Sequence, residues 1–167
     1  MSSNGTLTCV PDLVHLAALN NAHLYSRVCE AHGVDVRQSD DLFEFVGVPP
    51  RFYSNVVTLS RAARPTPRNG GWGMKDSFFM CEPEGCSVLF EADWIARTAN
   101  PNGSLKLDWR VVTRPDRLNR WLEGWGDGNS DIGNYPTQFP ASMLYDESVR
   151  FVEGLDEGRL VAGCMFN

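Results

Sequence analysis

Val149-Arg150-Phe151-Val152-Glu153, a turn at Asp156-Glu157-Gly158, then Arg159-Leu160-Val161-Ala162-Gly163-Cys164-Met165-Phe166: this stretch decides the fold. Two apolar, β-branched runs on either side of an acidic-Gly turn spell a β-hairpin. The second run is followed only by Asn167. A strand in that place either borrows its next neighbour or has lost it, because a bare edge recruits strands.

Working back from the hairpin, Leu107-Asp108-Trp109-Arg110-Val111-Val112 reads as a strand that runs into Arg114-Pro115-Asp116. Thr113 is placed to cap a helix there, with Pro115 in its first turn. Leu118, Trp121, Leu122 and Trp125 come next at helical spacing, and Gly124, Gly126 and Gly128 end the run. Trp121 and Trp125 share one face, as core anchors or as an aromatic ligand cage, and the core is the plainer reading. Asn129 to Pro140 is polar with two prolines and reads as a loop able to cover a pocket. Pro140 to Leu144 forms at most one helical turn before the hairpin.

The first part opens with a helix. Leu13, Leu16, Leu19, Leu24 and Val28 recur at helical intervals from Asp12 to His32, with Pro11 or Asp12 at the start and Gly33 as the stop. His15, His23 and His32 share no tight face, which suits helix-surface or helix-end roles as well as chemistry. Two strands are expected at Leu42–Val46 and Asn55–Leu59, separated by a turn through Pro49 and Pro50. Ser60 to Gly73 is the one locally basic, glycine-rich loop, carrying Arg61, Arg64 and Arg68. Arg68-Asn69-Gly70-Gly71-Trp72-Gly73 fits R-x-x-G-x-G, so Arg68, Gly70, Gly71 and Gly73 are anion-binding candidates against the alternative of a solvated loop. Lys75 to Met80 opens a short helix or a strand. Ser87 to Ile95 has the alternation of a half-buried strand with Glu91 and Asp93 on its outer face. Residues 98–104, Thr-Ala-Asn-Pro-Asn-Gly-Ser, mark a boundary, which divides the chain into lobes 1–98 and 105–167 around a linker at 99–104.

Composition narrows the function. The 167 residues, 43% of them hydrophobic, suffice for one domain or two small lobes. Twenty-one acidic against fifteen basic residues give a net charge of -6, which opposes binding to nucleic acid phosphates or anionic membrane. No run of about 18 apolar residues and no secretion signal is present, so a cytoplasmic location is expected. Five scattered cysteines suit free thiols, and no zinc-ligand spacing is complete, so no metal is expected.

The order strand, helix, loop, short helix, strand–turn–strand resembles the front half of an acyl-CoA-dependent N-acetyltransferase of the GNAT superfamily. The resemblance is carried by Trp109-Arg110-Val111-Val112, by Leu118 with Trp121 and Trp125, and by Phe139-Pro140 with Leu144 and Asp146. It continues through Phe151-Val152-Glu153-Gly154 to Gly158-Arg159-Leu160-Val161-Ala162-Gly163. Lys75-Asp76-Ser77-Phe78 with Leu89 to Ile95 looks like the N-terminal region of bacterial two-lobed GNAT-like proteins. The resemblance implies an α+β fold, a mixed, mostly antiparallel sheet flanked by helices, incomplete in the second lobe. In the superfamily a long central strand comes after the hairpin and leads to an R/Q-x-x-G-x-G/A loop that opens a helix and holds the acyl-CoA pyrophosphate. This chain ends before that point. Asn55–Leu59 followed by the Arg68 loop has the same local order, so the first lobe is expected to supply what the second lacks, within a chain or between chains.

Two functions are consistent with these features. In the first the protein transfers an acetyl group from acetyl-CoA to a small-molecule or peptide amine. Glu44 and Glu153 are then the candidate proton acceptors, and Tyr53 and Tyr145 the candidate acids to the leaving thiolate. In the second it is a non-catalytic, truncated GNAT-like protein that binds a ligand or partner, or forms a homodimer through the terminal strand. A third possibility, that these residues begin a longer enzyme, fits the same sequence.

Overall fold

The computed structural model describes residues 12–68, 70–95, 106–126 and 138–167. Helix α1 (Leu13–Ala31) starts where the Asp12 carboxylate accepts the amides of Val14 and His15 at 3.1 and 3.2 Å. That bond pair satisfies donors the helix itself leaves free. It ends at His32, followed by Gly33 at φ 67°, as the glycine stop predicts.

Four strands come next: β1 (Val36–Gln38), β2 (Leu42–Phe45), β3 (Val56–Thr58) and β4 (Met74–Lys75). They form one sheet in the order β1-β2-β3-β4, antiparallel except for the parallel β3–β4 pair. The second sheet contains β5 (Asp108–Val111), β6 (Arg150–Asp156) and β7 (Arg159–Phe166), in the order β5-β6-β7 and antiparallel throughout. Between β5 and β6 run α2 (Pro115–Gly126) and, further on, a 3-10 turn (Ala141–Tyr145). The protein is α+β; its described residues form two α-helices, a mixed sheet and an antiparallel sheet.

Helix α1 belongs to both cores. Ala18, Ala22 and Cys29 pack with Phe43, Phe45, Val57, Leu59 and Phe78 of the first sheet region. Val28, with Leu24 and Ala31 beside it, packs with Leu118, Trp121, Phe139, Met143 and Phe151 of the second. Small alanines let the first sheet approach closely on one side while branched residues fill the other. The two sheets therefore share one helix as their common wall.

The hairpin forms as its sequence requires. Glu157 and Gly158 take φ of 50° and 81°, the two left-handed positions of a tight two-residue turn. A bulge falls opposite Gly154/Leu155, where β7 carries one extra residue. Gly163 leaves room for the Trp121 indole, and a Cβ there would lie 2.5 Å from its Nε1. That nitrogen donates to the Val152 carbonyl at 3.0 Å, so α2 is fastened to the hairpin by a buried tryptophan. Trp121 is thus a core anchor.

Several expectations need correction. Ser87 to Ile95 is no strand and is not half-buried; every residue in it is exposed. Its alternation marks a strand-forming segment without a strand beside it, and pattern alone does not supply a partner. Lys75 to Met80 forms neither a helix nor a strand beyond Lys75, because the Asp76 carboxylate gathers the amides of Phe78, Met80 and Cys81 into a tight loop. Thr113 does not sit at the cap position. Pro115 is the first helical residue, so Arg114 precedes it and its carbonyl accepts from Leu118 at 3.0 Å. Strand β1 was not expected; with Arg37 and Gln38 exposed it lacks an apolar run. The linker at 99–104 and most of the expected loop, residues 129–137, lie outside the described residues. No helix among the described residues is long and apolar enough to cross a membrane.

Candidate functional site

The acid and phenol candidates fall in four different settings. Glu153 sits in the middle of β6, buried, on the face covered by α2, and pairs there with the Arg117 guanidinium. Beside this pair lies a pocket of about 20 Å³ bounded by Arg120, Leu155, Gly158 and Leu160. That volume holds about one water molecule. A carboxylate already neutralised and enclosed in this way supports the sheet–helix contact and is poorly placed to take a proton from an amine.

Glu44 lies on β2, where its carboxylate meets Arg68 at 3.4 Å. The pair joins a candidate base to a candidate cofactor ligand, and each occupies the other. Tyr53 is half-buried between the two cores and packs edge-on against Tyr25, with ring centroids 4.6 Å apart. Burial pushes its phenol well above the usual range, and the neighbouring Tyr25 and Cys29 push it the same way, so it stays protonated at any physiological pH.

Of the four, Tyr145 alone reaches a cleft of useful size. It is 79% exposed at the end of the 3-10 turn and stands at a cleft of about 260 Å³, with Val111, Thr113, Asp146, Arg150 and Phe151 also on its walls. Burial pushes the Asp146 carboxyl up, but hydrogen bonds from the Ser148 hydroxyl and amide and the Arg27 charge outweigh it and hold it below the usual range. The cleft therefore presents a phenol, the Asp146 carboxylate and the Arg150 guanidinium, which donates to the Asp146 and Val149 carbonyls. Glu44 and Tyr53 line neither this cleft nor the small pocket, so the structure does not bring the four candidates together.

The Arg68 loop is a turn between strands. Gly70 and Gly71 take φ of 85° and 75°, conformations that need glycine, and both are exposed. Gly73 exchanges two hydrogen bonds with Asn55, its amide to the side-chain oxygen and its carbonyl from the backbone amide, both at 2.8 Å. Gly73 leads directly into β4 and not into a helix. With Arg68 turned to Glu44, Gly73 bonded to Asn55 and no helix N-terminus behind them, these residues do not fit a pyrophosphate cradle.

No protein-family model, no curated protein and no solved structure matches this chain.

The histidines all serve the fold. His15 Nδ1 meets the Leu59 carbonyl at 2.9 Å, His32 Nε2 meets the Gln138 carbonyl at 3.1 Å, and His23 Nδ1 meets the Asn167 side chain at 2.9 Å. Among the described residues no group of three or more His, Cys, Asp or Glu side chains could hold a metal ion. Cys29, Cys81, Cys86 and Cys164 are free thiols.

Sequence reasoning missed Lys75. Its amine donates to Asn21 Oδ1 at 2.7 Å and lies 4.6 Å from the centre of the Trp94 ring, and burial lowers its basicity. It missed Arg117 as well, because a partner 36 positions from Glu153 leaves no local signal.

Proposed function

We propose that this chain is a GNAT-like protein in which acetyl transfer from acetyl-CoA to an amine requires an element beyond β7 to complete the second sheet. One observation carries the reading. The order β5-β6-β7, antiparallel throughout, with α2 and the 3-10 turn inserted between β5 and β6, is the front-half order that the resemblance implies. The Tyr145 cleft, with Asp146, Glu147 and Arg150 on its walls, is where we propose that the amine acceptor binds. No step is assigned to acetyl-CoA itself, since the one loop with the right residue pattern does not fit it.

A second reading has its own support. Glu153 is locked to Arg117 and Glu44 is paired with Arg68, which favours a non-catalytic GNAT-like binding protein. A calorimetric titration of the whole chain with acetyl-CoA separates the two. Saturable heat supports the transferase reading, and absence of heat at millimolar acetyl-CoA removes any transferase that binds it without that further element. Loss of that heat in Arg68→Ala would return the loop to the site despite its pairing with Glu44.

A further inference from the structure

Two unpartnered elements of this chain complement one another. Strand β7 pairs with β6 on one side and with no described strand on the other. From Leu160 to Phe166 it contains no charged residue and no proline, the devices that normally protect an edge. Gly154 and Gly163 show what each face meets. The Gly163 side faces Trp121 of α2, whereas the Gly154 side faces Trp109 and Leu107. On this second side Trp109 (37% exposed), Val111 (48%) and Phe166 (53%) make an apolar surface that neither α-helix covers.

The other element is Ser87–Ile95. It makes no backbone hydrogen bond among the described residues, and Val88, Leu89, Phe90 and Ile95 are 76–94% exposed. As a strand it would carry Val88, Phe90, Ala92 and Trp94, the last already under Lys75, on one face and Leu89, Glu91, Asp93 and Ile95 on the other.

We propose that Ser87–Ile95 of a second copy of this chain adds as a strand along the open edge of β7. The apolar row extends the Trp109–Val111–Phe166 surface, while Glu91 and Asp93 come to the α2 side, where Arg120 stands beside Leu160 and Arg117 is already paired with Glu153. Nine residues of segment match eight of β7. Among the described residues of one chain both elements are unpaired, and a second copy offers each its counterpart. Reciprocal exchange closes a two-fold dimer with two identical joints. Such a dimer forms whether or not the protein transfers acetyl groups.

The test uses Phe90→Pro, which removes a strand donor from an exposed segment, and Val161→Lys, which charges the edge. Far-UV circular dichroism checks that both fold; if Val161→Lys does not, the exposed Cys164→Lys replaces it. Sedimentation velocity at high concentration should give a dimer for the unaltered chain and monomers for each variant. An equimolar mixture of the two monomeric variants should regain a dimer, because the intact edge of one accepts the intact segment of the other. A monomeric unaltered chain, a dimeric Phe90→Pro, or a mixture that stays monomeric overturns the proposal; a dimeric Phe90→Pro points to β7 pairing with β7.

Discussion

Replacing Gly163 with alanine tests how the hairpin is joined to α2. The new methyl would stand 2.5 Å from Trp121 Nε1, 3.0 Å from Cε2 and 3.2 Å from Cδ1, so the indole must move by about an ångström to reach ordinary contact. Movement breaks the 3.0 Å bond from Nε1 to the Val152 carbonyl. It also drives the ring against Phe151 and Phe139, whose centroids already lie 5.3 and 6.1 Å away. Overpacking costs about 1–3 kcal/mol, and a buried donor left unmade about the same. The stiffer unfolded chain returns roughly 0.4–1 kcal/mol. The net loss is about 3 kcal/mol, which for a chain of this size lowers Tm by about 6–12 °C. Urea unfolding of Gly163→Ala, alone and combined with Trp121→Leu, measures it. The second background removes the clashing ring, so the alanine should cost little more there. A loss under about 0.5 kcal/mol in the natural background, or an equal loss in both, would refute the reasoning.

Other consequences are more local. Arg117→Ala leaves the Glu153 carboxylate buried without its partner and should cost about 2–4 kcal/mol, less than a fully enclosed pair because Arg117 is partly solvated, whereas Arg117→Met with Glu153→Leu should recover most of the loss; equal losses in urea midpoints would contradict the pairing. Burial raises the Asp76 carboxyl, but the amides of Phe78, Cys81 and Met80 and the Thr58 hydroxyl outweigh it and hold it below its ordinary 3.8. Its contribution is complete above that value and is lost as pH falls from about 4 toward the lower folded value, so Asp76→Asn should be less stable at pH 7 and lose less on acidification; parallel pH–stability curves would show that Asp76 plays no part.

The two sheets were legible in the sequence to very different degrees. The hairpin, β5 and α2 carry their own signals: an acidic-Gly turn, a β-branched run and tryptophan at helical spacing, all within a few residues of what they govern. The first helix was equally plain from Asp12 to Gly33. Ser87–Ile95 misled because alternation reports only what a segment suits, and among the described residues no strand lies beside it. The setting of the Arg68 loop was hidden for the converse reason. Its residues are those of an anion loop, yet its orientation is set by Asn55 and Glu44, distant side chains that a six-residue pattern does not contain. The settings of Glu44, Glu153 and Tyr53 were hidden on the same ground, since each depends on a neighbour brought by the fold.

Among the described residues β7 pairs with β6 alone, and amide hydrogen exchange of that strand at increasing protein concentration tests its open edge most directly. In dilute solution about every second β7 amide, those pointing away from β6, should exchange rapidly. At high concentration the same amides and those of Ser87–Ile95 should gain protection together. Protection of all β7 amides that is complete in dilute solution and independent of concentration would contradict it.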